Sequence, residues 1–142
     1  QALKDVIDDF SPTGSTAGHL GTAWSWYVLS PNWSNVFSGS SAPRPYGTQK
    51  NKKIAVLMTD GLYNTYYNTI NGGDSGAQAK ALCGAMRTAG VEVYTIAFGF
   101  DAMTSTEKAS ATAILQACAN SAEHFFDANT TQQLVDSFRH IR

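Results

Sequence analysis

Apolar residues recur along the chain in two rhythms, and the switch between them lays out the elements. Leu3, Val6, Ile7 and Phe10 stand at i, i+3, i+4 and i+7, one face of a short helix that Ser11-Pro12 ends. After the small-residue loop "SPTGSTAG", Leu20, Trp24, Tyr27 and Val28 repeat the pattern up to Pro31 and predict a second helix. Residues 31–50 carry three of the four prolines among many Ser and Gly, which predicts an irregular excursion that its aromatics can order. The rhythm then changes. "IAVLM" (54–58) shows no alternation, as expected of a central parallel strand covered on both faces.

From there strand and helix alternate. Ala79, Leu82, Cys83 and Met86 share a helical face that ends near Gly90, a C-terminal cap. A strand comes next, over 91–98. Thr104 and Glu107 form a capping box for a helix burying Ala111, Ile114, Leu115 and Cys118. Phe125 and Phe126 mark a short strand, and a last helix beginning near Asn129 or Thr130 turns Leu134, Val135, Phe138 and Ile141 inward. This order predicts one α/β domain with a doubly wound, mostly parallel sheet.

With 142 residues, 43% of them hydrophobic, the chain can bury a core of its own. A net charge of -1 with ten scattered basic residues excludes nucleic acid and anionic membrane as partner classes. The chain opens at Gln1 in amphipathic sequence without a methionine, so it reads as a piece of a longer protein whose anchor or targeting signal lies upstream.

Enzyme motifs are sparse. "GDSGA" (73–77) opens a helix, where Asp74 or Ser75 serves as N-cap, and no G-x-S-x-G supports the remote alternative of an α/β hydrolase. "GTAWSW" is no dinucleotide fingerprint. His19, His124 and His140 lack partners at metal or triad spacing, and His19 alone stands close enough to the small-residue loop to touch a site there. The chain is read as a non-enzyme.

Ligands of such sheets bind beyond the carboxyl ends of the strands, which is where Asp60 falls. The competing reading is a strand-ending turn in which Asp60 caps main-chain N–H groups and Gly61 supplies a positive φ. Thr16 sits in a loop whose glycines allow close approach to a ligand; the competing reading is a helix N-cap by Ser15 or Thr16. Tyr63, Tyr66 and Tyr67 come just after Asp60 and offer either amphipathic contact area or loop packing. Cys83 and Cys118 lie on apolar helical faces 35 positions apart without C-x-x-C spacing, which sets zinc aside and leaves two buried thiols or one disulfide.

Gly14-Ser15-Thr16 and Thr59-Asp60-Gly61 resemble two parts of the metal-ion-dependent adhesion site of von Willebrand factor A domains. The wording "WYVLSP…KKIAVLMTDGLYN…LCGAMRTAGVEVYTIAFGF…LQACANSAEHFFDANTTQQL" resembles the A domain of TadG-like proteins of bacterial tight-adherence (Flp) pilus loci, over nearly the whole chain. The resemblance implies a Rossmann-like sheet lacking its first strands, and with them the D-x-S-x-S motif that carries most metal contacts. "DFSPT" (9–13) fits D-x-S-x-T but ends a helical pattern, so the motif is expected before Gln1.

The resemblance implies a binding module, not a catalyst. Mg²⁺ or Mn²⁺ would be held by Thr16, directly or through water, and by Asp60 through water, weakly or not at all in this chain alone. A partner's Asp or Glu would complete the coordination, with Ser15, His19, Tyr63, Tyr66 and Tyr67 as contacts. The partner would be a protein or surface ligand, or a pilus or envelope component. The location would be extracytoplasmic, periplasmic or at the cell surface, which favours a Cys83–Cys118 disulfide. Residues 54–58 would present a bare edge, with Leu3, Val6, Ile7 and Trp24 exposed beside it, so that copies self-associate. The alternative is a metal-independent A domain with a structural role in envelope or pilus assembly.

Overall fold

Strands β1 (Lys53–Thr59), β2 (Val91–Phe98) and β3 (Phe125–Ala128) form one parallel sheet in chain order, with β2 in the middle. The computed structural model describes residues 2–11, 14–48, 51–67 and 73–141. Lys53 pairs with Val91 and the register runs to Thr59 opposite Ala97; Thr95 to Phe98 pair with Phe125 to Ala128. Helices α1 (Ala2–Asp8) and α2 (Gly18–Tyr27) precede the sheet, α3 (Ser75–Thr88) and α4 (Ser105–Cys118) connect its strands, and α5 (Thr131–His140) closes the chain. The α/β class expected from the pattern is the observed one. Within 31–48, two short 3-10 turns and a run of ring contacts from Tyr27 through Trp33 to Phe37 order the excursion.

One face of the sheet carries the main core. Ala55, Leu57, Val91 and Val93 meet Cys83 and Met86 of α3 and Cys118 of α4, with Trp26 and Leu29 packed against them. Cys83 and Cys118 are joined in a disulfide whose Cα atoms stand 5.0 Å apart, which decides between the two readings of the cysteines. Arg87 sits beside it and donates to the carbonyls of Ala117 and Cys118 at 2.8 and 2.6 Å, satisfying groups that the end of α4 leaves without helical partners. Helix ends obey their residues: Asp74 caps α3 by accepting from Ala77 N–H, Thr104 and Glu107 form the capping box of α4, and Gly90 takes φ +86° after α3.

Three expectations are corrected. The central strand is β2, whose residues are nearly all buried, whereas β1 is paired on one side among the described residues and leaves Met58 53% exposed. The buried side of α2 is His19, Thr22 and Ala23, the side that packs on α3, and not the face of Leu20 and Val28, whereas Trp24 is 54% exposed, as the missing-strand reading anticipates. In α5, Val135 and Phe138 remain exposed and Ser137 is the buried residue, because no further layer covers that flank among the described residues. All of α1 is exposed, including Leu3, Val6 and Ile7, as the missing-strand reading anticipates.

At the amino-terminal end of the strands Glu92 is held by Lys52, by the Tyr94 hydroxyl at 2.8 Å and by His124 Nε2 at 3.0 Å. Burial works against its ionisation, but the hydrogen bonds from Lys52, Tyr94 and His124 outweigh it and hold the carboxyl at about 2. A depressed carboxyl contributes stability that is fully present above its ordinary value of 4.5 and is lost as pH falls toward about 2. Glu92→Gln is therefore expected to flatten the fall of the thermal midpoint over that acid window. An unchanged slope would show the network to be stability-neutral.

Candidate functional site

Thr59 ends β1 and its hydroxyl closes the adjoining turn, accepting from Gly61 N–H at 3.2 Å and donating to Gly61 C=O at 3.2 Å. The turn therefore does not use the Asp60 carboxylate, and Gly61 is not among the glycines of positive φ. Asp60 is exposed, and among the described residues no hydrogen bond or ion pair reaches its side chain. Both halves of the turn-cap reading fail, which leaves a carboxylate at the carboxyl end of β1 without a structural task among the described residues.

Thr16 is in the same position. Helix α2 starts from Ala17, with no side-chain cap hydrogen bond, so neither Ser15 nor Thr16 is spent on capping. The loop is held by its main chain instead: Thr16 N–H donates to Asn64 Oδ1 at 2.9 Å, while Asn64 N–H and Thr65 N–H donate to Thr16 C=O at 3.0 and 3.2 Å. This stitching lays the Thr16 loop on the loop after β1. A Cβ built on Gly61 would stand 3.7 Å from Thr16 Oγ1, so the hydroxyl lies over the residue adjoining Asp60.

The other candidates divide. Ser15 is exposed beside Thr16, and Tyr66 and Tyr67 are exposed, Tyr67 at 84%, with area to offer an incoming surface. Tyr63 packs inward: a Cβ on Gly18 would collide with its ring at 2.3–2.4 Å, so only glycine lets α2 lie over the tyrosine. His19 is corrected. It turns away from Thr16 into the protein, where its Nδ1 meets Ser75 Oγ at 2.9 Å, both residues buried, and it fastens the start of α2 to the start of α3. In "DFSPT", Pro12 and Thr13 lie outside the described residues, and Asp9 and Ser11 are exposed after α1.

Asn64, Gly18 and Ser75, which position the two loops, escape the pattern reading because their partners lie 45 or more positions away and no local spacing rule ties them. Burial raises the Tyr63 phenol above its usual value, with a hydrogen bond to Thr22 acting the other way. Gly18→Val is expected to expel the ring and return the phenol toward its ordinary value of 10, seen as a lower tyrosine step in an ultraviolet titration. An unchanged titration would mean that the ring stays in place.

The donors at this site are a hydroxyl and a carboxylate, both hard oxygens that suit Mg²⁺ or Mn²⁺. Two such residues do not fill a coordination sphere of six, and the described residues contain no group of three or more His, Cys, Asp and Glu placed to hold a metal. The chemistry fits; the count is incomplete.

A family model described as von Willebrand factor type A domain matches residues 1–140. Among solved structures the chain is similar to the pilus adhesin SpaC from Lactobacillus rhamnosus GG in its open conformation, with TM-score 0.63 and 16% identity, covering 99% of this chain and 21% of that one. It is also similar to proximal thread matrix protein 1 from the mussel byssus, with TM-score 0.54 and 20% identity, covering 98% of this chain and 28% of that one. The chain thus spans 21% and 28% of these structures, and at such identities the likeness is one of fold. No curated protein matches the sequence.

Proposed function

Because the chain belongs to the von Willebrand factor type A domain family, as the match over residues 1–140 shows, we propose that it is part of a non-enzymatic adhesion module whose ligand docks through a divalent cation. The observation that carries this reading is the pairing of two uncommitted oxygen donors. The Thr16 hydroxyl lies over Gly61, the residue that follows Asp60 in the chain, and neither side chain is used by the cap or turn that would otherwise explain it. In this reading Thr16 and Asp60 hold part of a Mg²⁺ or Mn²⁺ sphere, and upstream residues supply the rest. The cation, when bound, offers a site for an acidic group of a protein or surface ligand. Ser15, Tyr66 and Tyr67 rim it.

The TadG-like wording and the pilus adhesin among the structural neighbours support a place in pilus or envelope assembly, outside the cytoplasmic membrane. A buried disulfide accords with an oxidising compartment. Among the described residues no helix is long and apolar enough to cross a membrane.

The second reading, a metal-independent structural A domain, is favoured by the short donor set. Thermal unfolding separates the two when run on a chain extended upstream, in millimolar MgCl₂ or MnCl₂ and in chelator. A cation-dependent rise in midpoint is expected there and little or none in the 142-residue chain. Indifference of the extended chain to both cations selects the structural role.

A further inference from the structure

His124, which has no partner at triad spacing in the sequence, has one on each ring nitrogen in the fold. Its Nε2 stands 3.0 Å from Glu92 Oε1 and its Nδ1 stands 2.7 Å from Ser121 Oγ. The sheet brings the three together. Phe125 pairs with Thr95, so the residue before it, His124, comes alongside Tyr94, whose ring centre lies 4.4 Å from that of the imidazole. Ser121 precedes the 3-10 turn Ala122–His124, and its hydroxyl makes no capping bond there.

Glu92 decides where the protons sit. Lys52, Tyr94 and His124 all direct hydrogen bonds to it and hold it ionised, and a carboxylate only accepts. The imidazole Nε2 must therefore carry a proton. In the neutral ring this leaves the lone pair on Nδ1, so the Ser121 hydroxyl is the donor in its bond to His124. Hydroxyl, imidazole and carboxylate follow one another in the order nucleophile, base and orienting anion.

The hydroxyl is also within reach of a ligand. Ser121 is exposed and lines a cleft of about 280 Å³ with Gln116, Ala122 and Phe125. That is just under the roughly 300–1,000 Å³ of pockets for drug-sized ligands, and it suits a smaller group. Phe125 gives the cleft an apolar wall. Gln116, whose side chain has no hydrogen-bond partner among the described residues, brings an amide N–H for a carbonyl oxygen that gains negative charge.

We propose that Ser121 is a nucleophile, activated by His124, that takes an acyl group from a small ester or thioester. Ser121 Oγ attacks the carbonyl carbon while its proton passes to His124 Nδ1. A new ester bond forms at Oγ, the bond from carbon to the leaving oxygen or sulfur breaks, and His124 returns the proton to that leaving atom. Glu92 is a positioning residue: it fixes the tautomer and steadies the imidazolium. The step is a single transfer onto the domain, at the end of the sheet opposite Thr16 and Asp60, and it rests on neither the cation site nor the adhesion reading.

The test treats the 142-residue chain with p-nitrophenyl acetate and maps the acetyl groups by mass spectrometry, with Ser34, exposed and bonded to no histidine, as internal reference. Ser121 is expected to be acetylated at least about 100-fold faster than Ser34, the ordinary reach of general-base assistance. In Glu92→Gln the new amide donates to Nε2 and moves the imidazole proton to Nδ1, so the two rates are expected to come within about tenfold of each other. In the parent unfolded by guanidinium the two serines are expected to react alike, a comparison that holds even where Glu92→Gln does not fold. The proposal is overturned by equal rates, or no acetyl on Ser121, in the folded parent. A preference for Ser121 that survives unfolding, or that folded Glu92→Gln retains in full, overturns it equally.

Discussion

Replacing Cys83 and Cys118 together by alanine is expected to lower the stability of the domain by about 3–4 kcal/mol, the loop-entropy value for a closed loop of 35 residues. For a chain of this length that corresponds to a fall in thermal midpoint of roughly 10 °C or more. The bond ties α3 to α4 across β2, so its loss frees the two helices that cover the main core. Both cysteines are 0% exposed, so reductant is expected to act at the rate of unfolding rather than on the native protein. Differential scanning calorimetry of the double variant checks the first statement. A midpoint within a degree or two of the parent's, or two free thiols counted on the unfolded, unreduced protein, would overturn it.

The elements that close on themselves locally are legible in the sequence, and those that depend on a neighbouring layer are not. The capping box of Thr104 and Glu107, the Gly90 cap and the strand at 91–98 rest on contacts within a few residues or on continuous burial, and all are found. The apolar stripe of Leu20 and Val28 mimics a core face because periodicity identifies a stripe and not the layer it meets. In the fold the opposite, smaller side of α2 packs on α3, leaving Leu20 40% and Val28 49% exposed. The site behaves similarly. Thr16 and Asp60 are legible from loop and strand-end positions, whereas the Asn64 clamp that joins them and the Ser75 hydroxyl that draws His19 away are long-range hydrogen bonds with no local signature.

On a chain that includes the upstream sequence, Asp60→Asn and Thr16→Ala are each expected to weaken cation binding by about 10–100-fold, the usual cost of removing a group that orients or completes a metal sphere. Neither side chain holds a described structural contact, so both variants are expected to keep the parent's unfolding midpoint in chelator. That combination separates a cation site from a structural turn: a residue needed for the turn would lower stability with or without metal.

Calorimetric titration of Mg²⁺ or Mn²⁺ into the upstream-extended chain, with Asp60→Asn and Thr16→Ala measured beside it, tests the cation-dependent module most directly. The expected result is saturable single-site binding in the parent and weakening of about 10–100-fold in each variant. No heat and no stabilisation in the extended parent, or binding that both variants leave untouched, would contradict a cation site built on Thr16 and Asp60.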